Sequence, residues 1–403
     1  MTKSSILDFA PFIPSESALK DSDLSDKATE LNRQSARLAG RLSTESADTL
    51  RAHMAVINSY YSNLIEGNNT KPHEIRQAQN GHYSDDPARR DLQQESVAHI
   101  GVQQWLNTEQ PDLQQIYSPE FILELHRRFY LHVPDSLKTM KDSNGTVTDR
   151  VLAGCWRTRD VEIGRHVAPG YASLQNLMSR FCEQYQPARY GGDQKLIAIA
   201  CAHHRFLWVH PFLDGNGRVA RLWTDATLRA VGLESYGVWC LSRGLARSSE
   251  QYKSALARAD FPRQGSHDGR GHLSEQGLLA FCDLMLNLAL DQVAYISDLL
   301  ELPNLKARID SYIQARNDRR VPGIDAPLKP VAALVLYNAF LHGSLQRSEA
   351  IALTGMHERN ARRLLSQLKR EGLLSETSSK SPLKWEIPEH AEPWYFPQLA
   401  PGI

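Results

Sequence analysis

The sequence lacks several features that would assign it to a common class of protein. Its five cysteines, at positions 155, 182, 201, 240 and 282, include no C-x-x-C pair. That scatter argues against a structural zinc site or a disulfide framework and suits reduced thiols in the cytoplasm. Net charge is also absent, because 46 basic residues balance 46 acidic ones. We therefore do not expect the chain as a whole to bind polyanions.

Long apolar runs are equally scarce. The N-terminal residues lack the apolar core of a secretory signal, and their acidic residues argue against a transit peptide. Apolar residues are densest over 278–300, but Asp283, Asn287, Asp291 and Asp298 interrupt that stretch. A buried helix is therefore predicted there in place of a membrane span. The usual phosphate-binding loop, G-x-x-x-x-G-K-[ST], is missing as well.

What the chain does contain is a dense group of reactive residues in the stretch HPFLDGNGRVAR, residues 210–221. Its glycines allow a tight turn. The helix predicted to follow, ending at Gly232, directs unpaired backbone N–H groups and a positive dipole end towards that turn. The amides of Gly215, Asn216 and Gly217 can therefore cradle a phosphate.

Four side chains around this turn have complementary chemistry. Arg218 and Arg221 are three positions apart on one helix face and can clamp neighbouring phosphates. Asp214 is a hard oxygen ligand suited to Mg²⁺, and His210 can be neutral near pH 7 and accept a proton from a hydroxyl. A D-G-N-G turn alone is usually only a loop. A calcium loop fits poorly, because no alternating acids and no closing glutamate follow.

The whole stretch matches the pattern H-x-F-x-[D/E]-G-N-G-R-x-x-R at every fixed position, and on that pattern the sequence resembles the Fic family. The resemblance implies a protein adenylyltransferase that uses ATP and Mg²⁺ and modifies a Thr, Ser or Tyr hydroxyl of a target protein. It implies His210 as the catalytic base, Asp214 as the metal ligand and residues 215–218 with Arg221 as the phosphate site. Self-modification is expected, and a homodimer is an open alternative. Relatives that remove AMP or transfer another phosphate-containing group keep those activities open.

A second motif lies far upstream. Ser62-Asn-Leu-Ile-Glu66-Gly67 resembles the family's inhibitory motif, [S/T]-x-x-x-E-[G/N]. An apolar stripe predicts a helix over 47–65, which Gly67 would end. A carboxylate at a helix C-terminus is unfavourable with the helix dipole, so Glu66 needs a cationic partner. The resemblance implies that Arg221 is this partner and is drawn away from the γ-phosphate of ATP. The alternative is a solvated glutamate.

Two further segments carry weaker signals. Residues 155–163 partly alternate in polarity and are flanked by Gly154 and Gly164, a pattern that predicts a strand. They resemble the family's β-hairpin flap, which aligns the target backbone as an added strand. Val161 and Ile163 would then cover the nucleotide and the incoming side chain; the alternative is a purely structural hairpin. Residues 248–256 resemble the segment around the adenine pocket, with Tyr252 either beside the base or half-buried in a helix.

The C-terminal residues resemble a winged helix-turn-helix. Two helix candidates, 347–355 and 357–372, are followed by the segments SETSS and KWEIP as wing strands. The second helix carries five basic residues that could meet DNA, although such residues are more often merely solvated, and winged helices also bind proteins. These residues are Arg359, Arg362, Arg363, Lys369 and Arg370.

The predicted fold is mainly α, with a Fic-type helical core, a small β-hairpin flap and a C-terminal winged helix-turn-helix domain. Four regions are predicted: 1–110 with the inhibitory helix at about 47–67, a catalytic core at 111–262, a helical connector at 263–325 and the winged-helix-like domain at 326–403. Other helices are predicted over 121–132, 171–185, 194–209, 219–230 and 250–257. We expect a cytoplasmic enzyme without a membrane segment.

Overall fold

The computed structural model describes residues 9–141 and 146–399, and most of these are α-helical, as predicted. The helices before the glycine-rich turn are α1 (Glu16–Lys20), α2 (Leu24–Ala39), α3 (Thr44–Ile65), α4 (Pro72–Gln79), α5 (Pro87–Glu109), α6 (Leu113–Ile116), α7 (Pro119–Leu131), α8 (Asp135–Lys138), α9 (Leu174–Tyr185) and α10 (Gln194–Val209). Those after the turn are α11 (Asn216–Ala230), α12 (Leu241–Arg247), α13 (Ser249–Ala259), α14 (Glu275–Leu299), α15 (Leu302–Asn317), α16 (Ala332–His342), α17 (Arg347–Thr354), α18 (Glu358–Arg370) and α19 (Glu392–Tyr395).

Strands are short. Two antiparallel hairpins precede α9, and a three-stranded antiparallel sheet lies near the C-terminus in the order β5–β7–β6. The strands are β1 (Thr139–Lys141), β2 (Val147–Arg150), β3 (Glu162–Ile163), β4 (His166–Val167), β5 (Ser344–Leu345), β6 (Leu374–Ser375) and β7 (Leu383–Trp385).

The strand predicted over 155–163 is wrong for most of its length, since only Glu162 and Ile163 are paired as β3. Arg157 accounts for the difference, because its side chain is buried and does not follow the alternation of a strand. Its backbone N–H donates to the Pro211 carbonyl at 2.9 Å, and its guanidinium donates to the His210 carbonyl at 2.8 Å. This segment is therefore held against the glycine-rich turn, and the hairpin is confined to β3 and β4.

The described chain divides into two compact units, and each unit combines separate segments of the sequence. One contains the chain up to Ser35, Asn58–Tyr236 and Cys240–Gln292; the other contains Ala36–Ile57, Gly237–Trp239 and the chain from Val293 onwards. The predicted boundaries after residues 110, 262 and 325 stay a prediction.

The core of the first unit is built around α10. This helix is apolar on nearly every side, and a helix of that kind is stable only when other elements surround it. From Leu196 to Val209 every residue except Leu207 is buried. Helix α11 packs against it, with Trp223 stacked 6.5 Å from Phe206. Helices α10 and α11 meet at the glycine-rich turn, so the most buried part of the unit supports that turn.

In the second unit, Trp385 of β7 is the centre of an aromatic cluster with Phe340 and Tyr395. The elements follow the order α16, β5, α17, α18, β6, β7. Gly355, at φ 60°, separates the two helices that the sequence predicts as a helix-turn-helix. The observed wing-side strands are shorter than the segments SETSS and KWEIP.

Helix α14 is the helix, among the described residues, that is long and apolar enough to cross a membrane. Half of its most apolar 18-residue window is buried inside the protein. Buried core helices of soluble proteins meet the same criterion of length and composition, so this helix alone assigns no membrane location.

Candidate active site

His210 ends helix α10 in an unusual backbone conformation. It is the C-cap residue, with φ 49° and ψ 62°, a left-handed conformation that is rare outside glycine and costs backbone energy. The His210 ring Nδ1 lies 3.3 Å from the Leu207 carbonyl. Because a carbonyl can only accept, Nδ1 carries the proton and Nε2 keeps its lone pair. Burial lowers the pKa of His210 to about 4, so the ring is neutral at pH 7.

Arg157 holds this turn in place, and sequence reasoning missed it. Besides the His210 carbonyl, its guanidinium donates to the carbonyls of Arg159 and Pro169. Buried backbone carbonyls need donors, and one arginine supplies several from a rigid fork. The sequence carries no periodic signal for such a role, because the partners come from separate segments of the chain.

The phosphate cradle predicted at residues 215–217 forms the start of α11. Gly215 is the N-cap at φ 80°, and a Cβ there would lie 2.6 Å from Cε2 of the Tyr130 ring. Only glycine therefore fits. Asn216 closes the loop with its side chain, since its Oδ1 accepts from the Phe212 N–H at 2.9 Å and its Nδ2 donates to the Phe212 carbonyl at 2.8 Å. Its contribution to an anion site is the backbone amide of a helix N-terminus.

Asp214 and Arg218 lie on the same side of the cradle. The Asp214 Oδ2 accepts from the Tyr130 hydroxyl at 2.5 Å and from Arg218 Nη2 at 3.1 Å. Arg218 also forms an ion pair with Glu95 of α5, which the sequence did not single out, and its guanidinium lies 5.2 Å from the centre of the Phe129 ring. Burial lowers the pKa of Arg218 to about 10, so its charge is retained at neutral pH.

Glu66 contacts the second arginine of the stretch. Its Oε1 accepts from Arg221 Nη2 at 2.7 Å, and Ser62 accepts from the same guanidinium through Oγ and its carbonyl, both at 2.9 Å. Burial raises the pKa of Glu66, but the charges of Arg221 and Arg218 outweigh it and hold that pKa below its ordinary value. A Cβ on Gly217 would overlap the Glu66 carboxylate, so this carboxylate lies directly over the phosphate cradle.

The C-terminal half of α3, which Glu66 follows directly, is joined to its neighbours by a buried polar seam. Asn58 Nδ2 donates to Gln103 of α5 at 2.9 Å and to Asp225 of α11 at 2.8 Å. Ser59 Oγ donates to the Ser96 carbonyl at 2.8 Å. The helix is thus attached by directional hydrogen bonds as well as by apolar contacts.

The other predicted site residues, Tyr252 and those of the hairpin, differ in how far they are buried. Tyr252 is buried, with its hydroxyl 2.7 Å from Nε2 of His203, so it is more enclosed than a half-buried helix residue. On the hairpin, Ile163 is exposed, and the Val161 carbonyl accepts from the Ala168 N–H at 3.2 Å. His166 of β4 lies 2.7 Å from the Trp208 carbonyl, which attaches the hairpin next to the end of α10.

Part of this chain is similar to known proteins. Residues 116–228 match the family described as the Fic/DOC family. Curated relatives named "Protein adenylyltransferase Fic" include that of Drosophila willistoni, 36% identical over 112 residues (28% of this chain, 19% of the relative), and that of Culex quinquefasciatus, 29% identical over 181 residues (43% and 32%). The chain therefore spans a fifth to a third of the length of these relatives.

Solved structures resemble the fold over a longer range. A Fic family protein from Desulfovibrio desulfuricans aligns with a TM-score of 0.52 at 18% identity and covers 89% of this chain and 95% of its own. A Fic domain containing signaling protein from Bacteroides thetaiotaomicron aligns with a TM-score of 0.51 at 17% identity and covers 68% and 96%. At these identities the likeness concerns the fold alone.

Proposed function

We propose that this chain, whose residues 116–228 form a Fic/DOC-family domain, transfers AMP from ATP to a hydroxyl group of a protein target. One observation carries the proposal: a neutral histidine, a glycine-lined helix N-terminus and two buried arginines meet where α10 joins α11. Such a set can accept a proton, hold phosphates and neutralise leaving pyrophosphate.

His210 is the proposed base. Its Nε2 takes the proton from a Thr, Ser or Tyr hydroxyl of the target, and the hydroxyl oxygen attacks the α-phosphorus of ATP. As the new phosphorus–oxygen bond forms, the bond from the α-phosphorus to the oxygen that leads to the β-phosphate breaks. Pyrophosphate leaves with that electron pair, and His210 returns its proton to pyrophosphate or water. The backbone amides of Gly215, Asn216 and Gly217 hold phosphate oxygens, while Arg218 and Arg221 offset the growing charge on pyrophosphate.

Asp214 fits the role of a ligand for the Mg²⁺ that accompanies ATP. Its side chain is 46% exposed, and an exposed carboxylate oxygen is the donor that this ion prefers. The described residues contain no group of three or more His, Cys, Asp or Glu side chains able to hold a metal. Phosphate oxygens and water would therefore complete the coordination, and the ion would supply positive charge to the phosphates.

Glu66 is the proposed brake on this reaction. Arg221 is buried and bonded to both Ser62 and Glu66, so its guanidinium is already engaged by these two residues. ATP could then bind, but without the charge that Arg221 would offer to its terminal phosphate. The Glu66 side chain is 33% exposed, which leaves the carboxylate room to move away when the brake is released.

The hairpin and Tyr252 have roles in the same proposed reaction. Val161 and Ile163 of the hairpin would align the target backbone, and Tyr252 would form part of the adenine pocket. Self-modification and a reducing cytoplasmic setting belong to the same proposal; the cysteines of the described chain are all free thiols. A homodimer stays a prediction from the resemblance.

A nucleotide-sensing regulator that binds DNA is the second candidate. Two observations support this candidate: the predicted helix-turn-helix lies between β5 and β6, and α18 exposes Arg359, Arg363 and Arg370. Part of its basic surface is already paired, since Lys369 and Arg347 share Glu376. Removal of AMP, or transfer of another phosphate-containing group, are the alternatives within the family.

Radiolabelled ATP distinguishes these functions. We expect the Glu66→Gly protein, incubated with Mg²⁺ and cell lysate, to transfer label from the α-phosphate of ATP and none from the γ-phosphate. Mass spectrometry should then find one AMP on a Thr, Ser or Tyr of the protein itself or of a lysate protein. Label from the γ-phosphate would show phosphate transfer instead. No label, together with a salt-dependent gel shift of duplex DNA, would favour the regulator.

The pH profile tests the state of His210. With a pKa of about 4, the ring is neutral, and able to accept a proton, at every pH above that value. The kcat/KM for AMP transfer by Glu66→Gly should therefore show no inflection near pH 6.5, the ordinary histidine value, between pH 8 and about pH 5. Circular dichroism at each pH is the control for unfolding. A fall of kcat/KM to half of its plateau value at pH 6.5, with the fold intact, would contradict the prediction.

A further inference from the structure

Arg218, one of the two arginines assigned to the phosphates, forms an ion pair with Glu95. Glu95 lies on α5, far from the glycine-rich stretch in sequence, and its side chain is only 7% exposed. Buried acids are rare unless they are paired, because burying an uncompensated charge is costly. Here both partners are buried, and the positive one is an arginine assigned to the phosphates.

The Glu95 carboxylate is fixed on both of its oxygens. Arg218 Nη1 donates to Oε1, and Asn68 Nδ2 donates to Oε2 at 2.9 Å. Asn68 is itself anchored, since its Nδ2 also donates to the Leu92 carbonyl at 2.9 Å and its Oδ1 accepts from Thr70 Oγ1 at 2.7 Å. The carboxylate therefore cannot turn away without leaving buried polar groups unpaired.

Arg218 is held by this carboxylate in one orientation. Nη1 binds Glu95, Nη2 binds Asp214 at 3.1 Å, and the guanidinium lies over the Phe129 ring at 5.2 Å. A free arginine side chain would lose up to about 2 kcal/mol of rotamer freedom on binding a phosphate. An arginine already fixed at the cradle avoids that loss.

The two carboxylates that meet the arginines of the stretch thus differ in kind. Glu66 is one-third exposed and follows the end of a helix, whereas Glu95 is buried within one and bonded on both sides. We propose that Glu95, kept in place by Asn68, is a positioning residue that holds Arg218 at the phosphate cradle whether or not Glu66 restrains Arg221. This inference rests on the proposed function for its catalytic consequence, but not for its effect on nucleotide binding.

A double-mutant cycle in the Glu66→Gly background tests the inference. Glu95→Ala should lower kcat/KM for AMP transfer by about ten- to hundred-fold, because a misplacement of about 1 Å at the reacting centre can cost about a hundred-fold in rate. It should weaken ATP binding, measured by calorimetry, in the same direction. In a protein that already carries Arg218→Ala, the same substitution should change either quantity by less than about twofold, because Glu95 acts only through Arg218. Glu95→Gln keeps an acceptor for Arg218. Its kcat/KM and its ATP affinity should therefore lie between those of the Glu66→Gly parent and those of Glu95→Ala.

Glu74→Ala is the matched control, since Glu74 is also a buried acid paired with an arginine, Arg89, at 2.6 Å. We expect it to change kcat/KM and ATP affinity by less than about twofold. Thermal melting checks that each variant folds, and the cycle is run with Glu95→Gln if Glu95→Ala does not. Equal losses on removing Glu95 with and without Arg218 would overturn the inference in favour of a structural role. If Glu66→Gly binds ATP but transfers no AMP, the proposed function fails, and the cycle in ATP affinity still decides the role of Glu95.

Discussion

Replacing His210 with alanine in the Glu66→Gly background should lower the rate of AMP transfer by about two to four orders of magnitude, the range for loss of a general base. The reason is local: among the side chains at the cradle, His210 is a base that is neutral at pH 7, whereas Arg218 and Arg221 are cations. Its Nδ1 proton is committed to the Leu207 carbonyl, so Nε2 is the nitrogen that accepts the hydroxyl proton. Initial rates of α-phosphate labelling give the measurement.

The binding of ATP provides the control for that variant. His210 has no assigned contact with phosphate, so His210→Ala should bind ATP within about threefold of the parent, a difference of less than 1 kcal/mol. Its left-handed backbone suits asparagine better than alanine, which makes His210→Asn a second variant that removes the base with less strain. Transfer that persists at the parental rate in both variants would place the base elsewhere.

Removing the Glu66 carboxylate should raise self-modification by at least about tenfold. A hydrogen bond to a charged group contributes about 1.5–3 kcal/mol, which corresponds to roughly a ten- to hundred-fold change. The lower end applies here, because one-third of Glu66 is exposed and solvent weakens the pair. Initial labelling rates of wild type and Glu66→Gly, at equal protein and ATP concentrations, measure the release.

Glu66→Gln separates charge from occupancy. The amide fills the same space over Gly217 but carries no charge for Arg221, so its labelling rate should lie between those of wild type and Glu66→Gly. Glu74→Gln changes a carboxylate that is paired elsewhere, with Arg89, and should label like the wild type. Unchanged labelling in both Glu66 variants would show that Glu66 does not restrain the reaction.

Local patterns in the sequence predict much of the fold and the centre of the site. Helix α10 begins and ends at the predicted residues, and α3 extends the predicted helix by three residues to Thr44. Helix α11 begins at Asn216 and not at Val219, because Gly215 turns the chain directly into the helix and Asn216 closes the loop. Periodicity and turn residues are local signals, so they predict the bounds of these helices to within a few residues.

Contacts between distant segments lie beyond such signals. The partial alternation over 155–163 places Arg157 in a strand, and no local pattern singles out Glu95. Each is a common charged residue whose role depends on partners brought from elsewhere by the fold, the carbonyls around His210 and the guanidinium of Arg218. Glu66 and Arg221 are equally distant in sequence, but there the family motifs supplied the pairing that residue patterns alone leave open.

The polar seam fixes the position of α3 along its axis, and with it the position of Glu66, which follows the helix. Apolar contacts have no fixed direction, whereas Asn58 Nδ2 donates to Gln103 and Asp225, and a buried partner left unpaired costs about 1–3 kcal/mol. A shift of one residue would move the helix by about 1.5 Å along its axis and turn it by about 100°. The number of residues from Asn58 to Glu66 therefore sets where the carboxylate meets Arg221, and an insertion between Asn58 and Ser62 would misalign the brake while leaving both motifs intact.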